Sequence, residues 1–202
     1  MNLVLFGSNE ELKASISDLI LDQRNVETGL VCGRLLRLAV MPALYNTHLS
    51  DEEVMDEILH CISVDNPVHA FLIIIPVPLT DDNKGEIETI QSVFSSRVCD
   101  HSIVLFTNKN FKEAAAVNIV EKSSEMEELL RLFGDRYMIL EGEGYRRRKQ
   151  VSELLERVTN MNKIYSLPMF IEAQKDGAKR PLEEELAEMK KQLQAKLEEE
   201  CE

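Results

Sequence analysis

A chain of 202 residues with a formal net charge of −13 and a pI near 4.8 is long enough for one α/β domain with some chain left over. That charge balance argues against nucleic-acid backbone or anionic lipid as the main partner. The longest apolar run, residues 71–77, is far too short to cross a bilayer, so no integral membrane segment is expected.

The first stretch, Leu3-Val4-Leu5-Phe6, reads as a short buried strand ended by Gly7, and Leu12, Ile16, Leu19 and Ile20 then recur at helical spacing. Strand, glycine turn and helix is the layout of a phosphate-binding loop, in which N–H groups at a helix start cradle an anion. The full pattern is Gly, four residues, then Gly-Lys-Ser/Thr. Gly7 and Lys13 match it. Leu12 replaces the second glycine, and Ala14 replaces the magnesium-holding hydroxyl unless Ser15 reaches in.

The loop residues Gly7, Ser8, Asn9, Lys13, Ala14 and Ser15 are therefore the candidate, degenerate phosphate site. Glu10 and Glu11 put negative charge where phosphates would lie. Ser8 and Glu11 also fit a capping box, in which the helix satisfies its own N–H groups. An ordinary first strand and helix that never bound an anion fits the same residues.

Residues 24–34 read as a polar connection, followed by a strand over residues 35–40. Ser50-Asp51-Glu52-Glu53 starts a helix with Val54, Ile58 and Leu59 on its buried face. The run from Val68 to Pro76 is almost wholly apolar, as expected of a central strand covered on both faces. Thr80-Asp81-Asp82 caps a helix with Ile87, Ile90, Val93 and Phe94 inward. A buried strand follows at Ile103-Val104-Leu105-Phe106, then a mostly helical segment over 111–133 with a break near Lys122-Ser123-Ser124. A last strand at Tyr137-Met138-Ile139-Leu140 and a helix over 150–161 complete the unit.

This alternation predicts an α/β fold, a mainly parallel sheet with helices on both faces, over residues 1–162. Ligands in such a sheet sit at the carboxyl ends of the strands, where the loops begin at Gly7, Met41, Val77, Thr107 and Glu141.

Residues 163–202 form a second part: a mixed segment to Arg180, then a charged amphipathic helix opened by Pro181. Leu182, Leu186, Met189 and Leu193 follow 4-3-4 spacing, which suits packing back on the domain or pairing with a partner helix. The basic run Arg146-Arg147-Arg148-Lys149 leads into a helix and reads as its solvated start. Cys32, Cys61, Cys99 and Cys201 are widely spaced, and the four histidines form no short ligand pair. Free thiols, a reducing cytoplasmic location and no metal site are expected. No secretory leader and no prenylation signal are read.

The box from Val68 to Pro76, with Leu79-Thr80-Asp81-Asp82 and Ile87-Glu88-Thr89-Ile90, resembles that of the GTPases of immunity-associated proteins, which carry an AIG-type G domain. Arg136-Tyr137-Met138-Ile139-Leu140 and the segment from Gln150 to Val158 are similar to that family's last strand and helix. The resemblance spans roughly residues 2–161. It implies a P-loop-type, guanine-nucleotide-binding domain, GTP or GDP as ligand, and nucleotide-dependent self-association.

Position by position, Lys13 keeps the loop lysine. Val40-Met41-Pro42-Ala43-Leu44 stands where the family has Asp-Thr-Pro-Gly-Leu. With Ala14 and Val40, both usual protein anchors for magnesium are absent, which makes magnesium doubtful. Ala43 replaces the glycine whose N–H faces the γ-phosphate position. At the base site, Asn108, Lys109 and Asn110 stand for Arg-Gly-Asp, and Glu141 and Gly142 replace paired asparagines. An amide at Asn110 offers one acceptor to guanine where a carboxylate offers two.

No catalytic residue is assigned. The expectation is a pseudo-GTPase, a protein-interaction or regulatory module with hydrolysis lost, that meets protein partners or itself through domain faces or the last helix. The alternatives are a GTP/GDP binder held by Lys13 with nucleotide-dependent self-association, and an adaptor working through the C-terminal helix.

Overall fold

The computed structural model describes residues 1–24, 26–63, 65–107, 120, 122–140 and 145–199. A six-stranded sheet with strand order β2-β3-β1-β4-β5-β6 forms its centre. The strands are β1 (Asn2–Phe6), β2 (Thr28–Val31), β3 (Arg34–Val40), β4 (Ala70–Pro76), β5 (Ser102–Thr107) and β6 (Tyr137–Leu140). Every pairing is parallel except β2 with β3. The mainly parallel α/β sheet expected from the alternation is present.

Helices cover both faces because the strands are apolar on both sides; β4 is buried from Ala70 to Ile75. On one face lie α1 (Glu10–Leu21) and α5 (Tyr145–Met161), which bury Leu12, Ile16 and Ile20 with Val151, Leu154 and Val158. On the other lie α2 (Asp51–Cys61), α3 (Asp81–Phe94) and α4 (Ser124–Leu132), joined by the start of α6 (Leu167–Glu199). Ser50 and Thr80 form capping boxes at the starts of α2 and α3, and Ser123 caps α4 at the expected break.

Four expectations are corrected. Leu59 is not on the buried face of α2 but 43% exposed, and Ile58 and Cys61 are the residues that helix buries. Residues 24–34 are not simply a connection: β2 occupies Thr28–Val31 and pairs antiparallel with β3. The hairpin fits because its turn needs only Cys32 and Gly33, at φ 50° and 76°, a two-residue geometry that glycine favours. The cap of α1 is Asn9, whose side chain accepts from the Leu12 N–H at 2.8 Å, and not Ser8 with Glu11. The last helix does not open at Pro181 but runs through it from Leu167.

The segment leading into α6 is anchored in the core. Tyr165 exchanges two backbone hydrogen bonds with Val68, at 2.9 and 2.8 Å. Its ring is fully buried against Phe71 and Phe94, and Phe170 packs against Phe94.

Candidate functional site

Three segments meet at the carboxyl ends of β1, β3 and β4: the loop 7–13, the loop that follows Val40, and the start of α3. Gly7 is required where the chain leaves β1, since a Cβ there would lie 2.9 Å from the Ile74 carbonyl oxygen of the neighbouring strand. With Asn9 as cap, the Ser8 hydroxyl is free to accept from the Asn83 amide of α3 at 2.6 Å. Asn83 in turn accepts from the Thr80 hydroxyl at 2.7 Å.

Lys13 points from α1 back into this junction, and its side chain is 0% exposed. Its ammonium donates to the Met41 carbonyl oxygen and, at 2.8 Å, to Glu10 Oε1. The same Glu10 oxygen accepts the Ala43 N–H at 2.8 Å. One carboxylate oxygen therefore collects the loop lysine and a backbone amide from the segment after β3. An anion bound at Lys13 would have to use the same donors.

The next two amides of that segment are held by a second carboxylate. Glu86 of α3 is 1% exposed and accepts from the Leu44 N–H at 2.9 Å and the Tyr45 N–H at 2.7 Å. Burial pushes its carboxyl above the ordinary 4.5. The hydrogen bonds from Tyr45 and Leu44 and the charge of Lys13 pull it back down, and the charge of Glu10 opposes them. The Tyr45 ring lies over Gly85, where an added Cβ would fall 2.6 Å from it.

Sequence reading passed over Glu86, because an acidic residue inside an amphipathic helix looks solvated. The available signal was Gly85, an isolated helical glycine, which implies a close neighbour.

Of the other expected residues, Leu12 is buried in the core, while Ala14 and Ser15 are exposed. The latter two line a cleft with Glu11, Asp18 and Asp22 on the outer side of α1. Asn108, Lys109, Asn110 and Glu141 lie outside the described residues, as does Gly142.

The Lys13 ammonium is already paired with the Glu10 carboxylate and the Met41 carbonyl oxygen. The Ala14 and Val40 side chains carry no oxygen.

The architecture is that of a G domain. The G-domain of FeoB from Methanococcus jannaschii matches with a TM-score of 0.52 at 11% identity, covering 79% of this chain and 96% of that one. A dimerization-deficient mutant of Toc33 from Arabidopsis thaliana matches with a TM-score of 0.61 at 13% identity, covering 83% and 87%. Within that class the chain belongs to the AIG1 family, whose model matches residues 6–190. The family expected from the Val68–Pro76 box is the one found. Immune-associated nucleotide-binding protein 4 of Arabidopsis thaliana is 27% identical over 178 residues, or 82% of this chain. The chain spans 54% of that relative's length and 50% of that of immune-associated nucleotide-binding protein 10 of the same organism.

Proposed function

We propose that this AIG1-family domain is a pseudo-GTPase, a protein-interaction or regulatory module that does not hydrolyse GTP. The observation that carries the reading is the Glu10 carboxylate, which holds both the Lys13 ammonium and the Ala43 N–H. Hydrolysis of GTP relies on positioning and charge stabilisation by the loop lysine and magnesium. Here the lysine is committed to a glutamate, and the two positions that would anchor the metal are Ala14 and Val40.

Protein contacts have two supports in the chain's surface. Leu30 and Leu35 are cross-strand neighbours at the β2 edge of the sheet, 73% and 69% exposed. Leu186 and Met189 are exposed along α6. The location in this reading is the cytoplasm, which suits free Cys32, Cys61 and Cys99. Among the described residues no helix is long and apolar enough to cross a membrane.

Thermal unfolding with and without millimolar GTP, GDP and XTP, each with magnesium, tests the reading. A ligand at one hundred times its dissociation constant adds about 2.7 kcal/mol, which raises the midpoint by roughly 5–10 °C. The proposal expects no shift. A shift with GTP or GDP favours the second reading, a nucleotide binder using Lys13, which the lysine's place as the seventh residue of the loop pattern counted from Gly7 supports.

A further inference from the structure

Three successive backbone amides, those of Ala43, Leu44 and Tyr45, are each taken by a carboxylate side chain: Ala43 by Glu10 of α1, and Leu44 and Tyr45 by Glu86 of α3. The Met41 carbonyl oxygen just before them takes Lys13. The loop after β3 is thus tied on one side to the first helix and on the other to the third.

In nucleotide-switched domains, comparable loops become ordered when a terminal phosphate supplies the acceptor that gathers lysine and loop. In this chain the acceptor is covalently part of α1. It sits three residues before the lysine it binds, so it is present in every molecule and is not lost by dissociation or hydrolysis.

We infer that Glu10 is a built-in substitute for a terminal phosphate. It sets the 41–45 loop in its tied arrangement without ligand, and it masks a residual anion site made by Lys13 and the Ala43 N–H. The inference rests on the pseudo-GTPase reading but makes a separate claim, about what orders the loop.

Several features separate this contact from ordinary surface pairing. Lys13 is fully buried, whereas an exposed ion pair would leave it solvated. The Glu10 oxygen is shared between a side-chain cation and a main-chain donor 33 residues away in sequence. Glu11, its neighbour, is exposed and supplies a control on the same helical turn. The Glu10 side chain is itself 60% exposed, so shortening it leaves no void in the core.

The test is amide hydrogen exchange at Ala43, followed by NMR on the full chain for the unsubstituted protein, Glu10→Ala, Glu10→Gln and Glu11→Ala. The probe anion is inorganic pyrophosphate. The unsubstituted protein should protect Ala43 with or without pyrophosphate, and Glu11→Ala should match it. Glu10→Ala should speed exchange at Ala43 by tenfold or more while the amides of β4 stay protected, and pyrophosphate should restore the protection. Glu10→Gln, which keeps an acceptor but no charge, should fall between.

Unchanged exchange at Ala43 in Glu10→Ala would overturn the inference. Exchange that rises but does not respond to pyrophosphate would overturn the masked anion site. Tight GTP binding by the unsubstituted chain would instead defeat the pseudo-GTPase reading, whichever way Ala43 behaves in Glu10→Ala.

Discussion

Glu86 reaches from the interior of α3 to within 2.7 Å of the Tyr45 backbone nitrogen, with the carboxylate 99% shielded from solvent. The same group accepts from Leu44, so one side chain satisfies two adjacent amides of the loop beside the candidate site. A buried N–H that loses its acceptor costs about 1–3 kcal/mol. Glu86→Ala should therefore lower stability by about 2–4 kcal/mol in urea unfolding. It should also release the loop, seen as faster exchange at Leu44 and Tyr45.

The same carboxylate gives a pH signature. Its folded pKa lies above the ordinary 4.5, mainly because burial disfavours the charged form. The folded chain then binds the proton more tightly than the unfolded chain. The proton-linked part of the Glu86 contribution to stability is fully present below 4.5 and is lost as pH rises through the folded value, while the hydrogen bonds to Leu44 and Tyr45 remain. The stability of the unsubstituted protein minus that of Glu86→Gln should fall across that window and be flat at higher pH. Unfolding curves collected in steps from pH 4 to pH 8 check this.

The α6 anchor has its own test. The Tyr165 hydroxyl donates to the Phe94 carbonyl oxygen at 3.0 Å, and burial pushes the phenol up to about 12 from its ordinary 10.0. Tyr165→Phe removes one hydrogen bond and should cost about 1 kcal/mol. Because the folded pKa is raised, the contribution is complete below pH 10 and is lost as pH rises toward 12. The alkaline loss of stability should be shallower in Tyr165→Phe.

Most of the fold could be read from the residues. The apolar run through Phe71, Leu72, Ile73 and Ile74 announces a strand with no solvent face, and Ser50 and Thr80 announce their helices with a cap and acids. The β2 strand was harder, since Thr28, Gly29 and Leu30 show no clear alternation and its turn is only Cys32 and Gly33. Ser8 and Asn9 are both good caps, and the choice between them depends on Asn83, 75 residues away from Ser8, which takes the serine.

At the site, Lys13 and the unfavourable charge of Glu10 were legible because they are close in sequence. The link from Glu10 to Ala43 was not, because it depends on β3 lying beside β1. Glu86 was hidden for the same reason: its amide partners are more than 40 residues away.

Thiol chemistry offers a check on the packing. Cys32 is exposed in the hairpin turn, while burial pushes the Cys61 thiol up to about 12 and also raises Cys99. The thiolate is the reactive form. In a Cys201→Ser background at pH 8, an aromatic disulfide reagent should label Cys32 quickly, and Cys61 and Cys99 only after denaturant is added.

The central claim is that the phosphate site is filled by the chain itself, and the nucleotide content of the purified protein tests it most directly. The chain has no Trp and only 4 Tyr, so a bound guanine would stand out in its near-ultraviolet absorbance. The protein, purified without added nucleotide, would be denatured and the released small molecules resolved by anion-exchange chromatography. The account predicts guanine nucleotide far below one equivalent, and the same after incubation with GTP, magnesium and desalting. A stoichiometric release of GDP or GTP would contradict it, because Lys13 would then be serving a phosphate and not Glu10.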